Sequence, residues 1–97
     1  MGVIQLADAA QRDLEQIVAF IARDNLTAAL AWLDEIERLF ELLATQPTMG
    51  EAIQTRRFIE LRRHVSGNYL IYFQPLPNGV EILRVVHAAR DQTRQKL

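Results

Sequence analysis

The chain has 97 residues, 49% of them hydrophobic and 24% charged, with a net charge of −1 and no cysteine. That length supports one core, so a single domain over residues 1–97 is expected, and the composition is that of a globular protein rather than a disordered one. The missing cysteine excludes disulfide frameworks, thiolate nucleophiles and cysteine zinc sites, and two histidines, His64 and His87, are too few for a histidine-rich metal centre.

The first strand expected is VIQLA, Val3 to Ala7. Its opening residues, MGVIQLADAA, lack a basic stretch followed by an apolar core, and no apolar run approaches the roughly 20 residues that cross a bilayer. A cytosolic location, with no membrane contact and no cofactor, is the expectation. Asp8 then caps a helix, with Gln11 completing a capping box. Ala10, Leu14, Ile17, Val18 and Ile21 recur along it at helical spacing and draw one apolar stripe. The residues RDN break this helix, and a second runs from Leu26 to Thr45, closing before Pro47 because a residue preceding proline avoids the helical region. The two form an antiparallel hairpin.

On the second helix Leu26, Ala29, Leu30, Trp32, Leu33, Ile36, Leu39, Phe40 and Leu43 spread over about half the circumference, wider than packing on one sheet requires. Phe20 also falls off the first helix's stripe. Two accounts stay open: coverage by the first helix on one flank and the sheet on the other, or a groove for another chain's amphipathic helix.

Residues 47–55, PTMGEAIQT, read as loop. Three strands follow, RRFIELRR, NYLIYFQ and VEILRVVH, joined through SGN and LPNG, whose Ser-Gly and Asn-Gly pairs signal hairpins. The fold expected is therefore α+β in two layers: a short N-terminal strand and a helical hairpin packed on a C-terminal antiparallel meander. Strict alternation in the last strand puts Val80, Ile82, Arg84 and Val86 on one face and Glu81, Leu83, Val85 and His87 on the other.

Charge is unevenly laid out. Residues 1–50 hold three basic and eight acidic side chains, while residues 51–97 hold eight basic and four acidic. Ten of the eleven cations are arginine, which favours bidentate contact with carboxylate or phosphate. Arg62, Arg63, Arg84 and Arg90 are the candidates for an anion- or target-facing patch, and Arg84, set among Ile82, Leu83, Val85 and Val86, must find a partner or open water. The bland readings are a solvated surface, a strand-end His87 bonded to a neighbour, and a local Arg90–Asp91 ion pair.

The strings LADAAQRDLEQIVAFIARDN, ELRRHVSGNYLIYF and above all VEILRVVHAARD, in this order, resemble the ParE/RelE superfamily of bacterial type II toxins over nearly the whole chain. The His-x-x-Arg-Asp strand ending looks like the ParE, or plasmid-stabilisation, branch. The resemblance implies a toxin wrapped by a ParD-like antitoxin, with Phe20, Leu26, Leu30, Trp32 and Leu39 as candidate docking residues. ParE members poison DNA gyrase and RelE members cut mRNA on the ribosome, and fold alone does not decide between them. A nuclease requires a proton-transfer group and cations for the scissile phosphate. His87 or His64 could transfer the proton, Arg62, Arg63, Arg84 and Arg90 could hold phosphate, and Tyr69 and Tyr72 could stack a base. Against this, the resemblance leads one to expect basic-loop lysines and a C-terminal tyrosine, whereas the only lysine is Lys96 and DQTRQKL has no tyrosine. Gyrase inhibition without catalysis ranks first. A RelE-like endoribonuclease, the one case in which direct nucleic-acid binding is expected, and a non-toxic binding domain are the alternatives.

Overall fold

The computed structural model describes residues 2–53 and 60–90, the last by its backbone alone. In chain order the elements are β1 (Val3–Leu6), α1 (Asp8–Ala22), α2 (Leu26–Thr45), β2 (Glu51–Ile53), β3 (Leu61–Ser66), β4 (Tyr69–Leu76) and β5 (Gly79–His87), followed by a short 3-10 turn, Ala88–Arg90. The five strands form one sheet in the order β1-β5-β4-β3-β2. β2 to β5 are antiparallel neighbours, and β1 returns to pair parallel with β5, Val3 against Gly79 through Leu6 against Ile82.

The helical hairpin lies on one face of this sheet. Leu14, Ile36, Phe40 and Leu43 pack there with Ile71, Phe73, Val80, Ile82 and Val85. Phe73, Leu43 and Ile71 are among the side chains wholly withdrawn from solvent, and each contributes roughly 1.5–3 kcal/mol by its burial. A second cluster of Leu61, Leu70, Tyr72, Leu83 and Val86 forms separately, flanked by Ala7 and Ile53.

The layers and both helices match the sequence expectation, and three local readings change. The first is the cap of α1. Ala7, not Asp8, holds the N-cap position, with no side-chain cap, because the Ala7 N–H is already given to the Ile82 carbonyl at 2.9 Å and the chain passes straight from strand pairing into helix. Asp8 remains favourable as an anion in the first turn, while Gln11 donates to Glu15 at 3.2 Å instead of reaching back. The second is β2, a three-residue edge strand where a loop was expected. It pairs with Leu61–Arg63 directly after Gly50, whose φ of 84° turns the chain, and three residues are too few to show alternation. The third is the face assignment of β5. Tyr72 pairs with Arg84 but Phe73 with Ile82, so Leu83 is the extra residue of a bulge. The parity flips there, which places Val85 with Val80 and Ile82 against the helices and Val86 with Leu83 in the second cluster. Of the strand expected over 56–63, residues 56–59 lie outside the described residues, and the strand observed continues beyond Arg63 to Ser66.

Two glycines make opposite demands. A methyl group at Gly79 would overlap the Val3 carbonyl of the paired strand, whereas Gly67, at φ 57° in the β3–β4 turn, faces open space. Gly79→Ala should push β1 away from β5 and cost about 1–3 kcal/mol. Gly67→Asn should stay within about 0.5 kcal/mol, since asparagine tolerates the left-handed region. Urea titration of both variants checks the contrast, and equal stabilities would mean that β1 shifts freely.

Candidate functional site

β1 pairs with only the first part of β5. Beyond Ile82 no further β1 residue pairs with β5, and α1 supplies the bonding groups instead. The Asp13 carboxylate accepts from the Val85 N–H at 2.9 Å, from Arg84 Nε at 2.7 Å and from Arg84 Nη2 at 3.0 Å. A fork of this kind matches guanidinium to carboxylate in two parallel bonds. The side chains of Arg84 and Asp13 retain 27% and 11% of their exposure, so the pair is largely screened from water. The hydrogen bond to Asp13 holds the Arg84 guanidinium above its ordinary pKa, against an opposing effect of burial. Because the shift is upward, its stabilisation is fully present below the ordinary guanidinium value and is lost only as pH rises past the folded one. The arginine thus adds no pH dependence near neutrality.

Asp13 is the residue that sequence reasoning missed. The signal was its place three and seven residues before Gln16 and Phe20, on the flank of the α1 stripe next to Ile17. The strand arginine sequence separation of 71 residues hid the pairing.

Above this clasp lies an open cleft of about 240 Å³, lined by Asp13, Gln16, Phe20, Tyr69, Arg84 and His87 among others. Two rings of its lining, Tyr69 and His87, continue into a third, Trp32. Trp32 of α2 and Tyr69 of β4 have centroids 5.1 Å apart, and Tyr69 meets His87 edge-on at 5.2 Å. His87 Nδ1 accepts from the Ala89 N–H at 3.1 Å, which ties the ring to the turn that follows β5. The structure therefore brings together His87, Arg84 and Tyr69, three of the residues named for a nuclease. Arg84 faces phosphate poorly, however, because Asp13 cancels its charge at contact distance. His64 sits half-buried on β3 opposite Ile71, and Arg62 is elsewhere.

The other arginines are also committed. Arg62 donates to the carbonyls of Met49 at 3.0 Å and Gly50 at 3.1 Å, and to Glu60 at 2.8 Å, holding the bend that leads into β2. Arg63 bonds Glu51, which with Tyr72 raises its pKa. In register, Arg63 and Arg84 flank Tyr72 in one row, whereas Arg62 aligns with Phe73 in the adjacent row and so projects to the opposite face. The expected patch of Arg62, Arg63, Arg84 and Arg90 is thus not assembled among the described side chains. That of Arg90 lies outside them, as does Asp91.

On the helices, Phe20, Leu26 and Leu30 stand 57%, 62% and 53% exposed, and Leu42, not named beforehand, 41%. Trp32 and Leu39, expected at the opposite margin of the α2 stripe, turn inward and pack on the main core. The exposed apolar surface is thus mainly the Leu26–Leu30 margin, with Leu42 alone exposed beside the inward-turned Leu39.

Among the described residues no helix is long and apolar enough to cross a membrane, and no cluster of His, Asp and Glu is arranged to hold a metal ion. A five-stranded sheet covered on one face by a helical hairpin, with both helices preceding the antiparallel strands, is a two-layer α+β architecture. Residues 4–92 match the family described as the ParE toxin of the type II toxin-antitoxin system, parDE, and the chain belongs to that family. Among solved structures it is similar to a chain of the chromosomal ParDE TA system from P. aeruginosa, with a TM-score of 0.70 and 16% identity, covering 90% of this chain and 96% of that one. No curated protein matches the sequence.

If the clasp joins α1 to β5, Arg84→Met should cost about 1–3 kcal/mol, because Asp13 then keeps a largely buried charge with only the Val85 N–H to meet it. A cycle with Asp13→Asn should show coupling above about 1 kcal/mol by urea denaturation. Additive effects would show the two side chains to be independent.

Proposed function

We propose that this ParE-family toxin is held inactive by a ParD-like antitoxin and acts in the cytoplasm on DNA gyrase by binding, without cutting RNA. The observation that carries the non-enzymatic half is the Asp13–Arg84 pair. Cleaving a phosphodiester requires uncompensated positive charge beside the proton-transfer group, and the one arginine lining the His87 cleft among the described side chains is neutralised by a carboxylate at 2.7 Å. The antitoxin half rests on family membership, on similarity to a solved chain of a ParDE system, and on Leu26 and Leu30, which no described element of this chain covers. Exposed leucines on a helix suit the apolar face of a second helix.

One observation favours a RelE-like nuclease as the second reading: His87, Tyr69 and Arg84 line the same cleft. Inducible expression in a bacterium, with and without the neighbouring small reading frame, separates the two. A gyrase poison raises the DNA-damage response, and a nuclease arrests translation. His87→Ala should leave toxicity intact on the first reading and lower the cleavage rate roughly 10²–10⁴-fold on the second. Ribosome-dependent mRNA cleavage abolished in a folded His87→Ala protein would reverse the ranking. At the antitoxin face, Leu26→Ser and Leu30→Ser should each weaken the complex by more than about 1 kcal/mol if they are anchors, measured by calorimetry on the purified pair.

A further inference from the structure

The exposed stripe of α2 does not end with its leucines. Leu26, Leu30, Asp34, Glu37 and Glu41 follow one another at spacings of four, four, three and four residues, and at about 100° per residue they fall within an arc of roughly 80°. All five are exposed. The stripe is some 22 Å long at 1.5 Å per residue, apolar towards the start of the helix and acidic towards its end.

The acidic half conflicts with the local rules of helices. Asp34 and Glu37 are like charges three apart and Glu37 and Glu41 four apart, spacings at which like charges repel. Asp34 lies at mid-helix, and Glu37 and Glu41 lie toward the end whose dipole disfavours anions, while the first turn, which favours them, has no acidic residue and the last turn has no basic one. Arg38 stands four residues after Asp34 and three before Glu41, at pairing spacing, yet among the described residues none of the three carboxylates joins an ion pair. Local features that disfavour a helix and are met by no formed ion pair point to a function outside it.

Building on the antitoxin reading above, we infer that this stripe receives a basic amphipathic helix of the antitoxin, whose apolar residues cover Leu26 and Leu30 and whose lysines or arginines, two to four turns along, meet Asp34, Glu37 and Glu41. The charge complementarity runs opposite to the one the sequence suggested. The toxin contributes the acids from its helical hairpin and the partner the cations, while the strand arginines are used internally. Apolar contact gives this interface its affinity, and the acidic half fixes the partner's register and direction, as charge placement does in paired helices.

The test uses the full chain, the protein encoded by the adjacent small reading frame as the probe, and two triple variants. One is Asp34→Asn with Glu37→Gln and Glu41→Gln. The other replaces all three with lysine. For the unaltered chain, affinity should fall at least tenfold between about 0.05 M and 0.5 M salt, since exposed charges are screened over about 10 Å at 0.1 M. The lysine variant should bind at least tenfold more weakly at low salt and lose that slope, with the neutral variant in between. The neutral variant should melt higher than the parent, because like-charge repulsion within α2 has been removed, whereas the lysine variant keeps like charges at the same spacings. Weakened binding with a raised melting temperature in the neutral variant is a combination that mere structural damage does not give. A complex of unchanged affinity and salt slope in the lysine variant overturns the inference and leaves the antitoxin reading standing. A lowered melting temperature in the neutral variant also overturns it, by removing its premise. No complex at all between the parent chain and the probe overturns the antitoxin reading and the inference with it.

Discussion

The carboxylate of Asp13 takes over where β1 stops. A parallel strand satisfies β5 as far as Ile82, and the next groups on that side, the Val85 N–H and the Arg84 guanidinium, are met by one side chain from α1. Buried backbone donors must be paired, and here a helix does it instead of a strand. The consequences spread outward. α1 is fixed against the end of the sheet, and the cleft acquires a floor with no net charge from this pair.

The same pairing changes the meaning of the charge asymmetry along the chain. Read as a string, the second half is basic and the first acidic, which suggests two surfaces of opposite sign. Folding dissolves that division. Arg84 pairs with an acid of the first half, and Arg62 and Arg63 with Glu60 and Glu51 of their own. Exposed pairs like the last two add little stability, up to about 1 kcal/mol each, but they leave the strands without open cations among the described side chains. On the hairpin, by contrast, the carboxylates of α2 face solvent unpaired, beside leucines that also face solvent. The protein's most distinctive exposed chemistry therefore lies on α2 and not on the strand that ends in His87.

What the sequence made legible follows the range of the forces involved. The helix boundaries at Leu26 and Thr45, and the turns at Gly67 and Asn78, are written locally, in a cap, a proline and turn-forming residues. Leu26, Leu30 and Phe20 were legible as surplus apolar residues because periodicity counts what one helix face can hide. The parity of β5 was not legible, since nothing in VEILRVVH marks Leu83 as unpaired, and the bulge is decided by its neighbour β4. Asp8 illustrates competition: its composition is that of a cap, but the strand pairing of Ala7 claims the position first. Trp32 and Leu39 were misplaced for a related reason, as helical geometry gives the angle between two margins but not which one the sheet will cover. Arg84 was marked locally as an arginine in need of a partner, but nothing local tied it to Asp13, 71 residues away.

A fold that hosts both gyrase poisons and ribosome-dependent nucleases must carry the distinction in a few side chains. In this chain a histidine, a tyrosine edge-on to it and an arginine of the same strand as the histidine line one cleft. Among the described side chains, the charge of that arginine is met by a carboxylate in a forked pair. The group that completes the sheet edge thus also occupies the guanidinium. In this fold, securing α1 through Arg84 and using Arg84 on phosphate are competing uses of one guanidinium, and the position of Asp13 assigns it to the first.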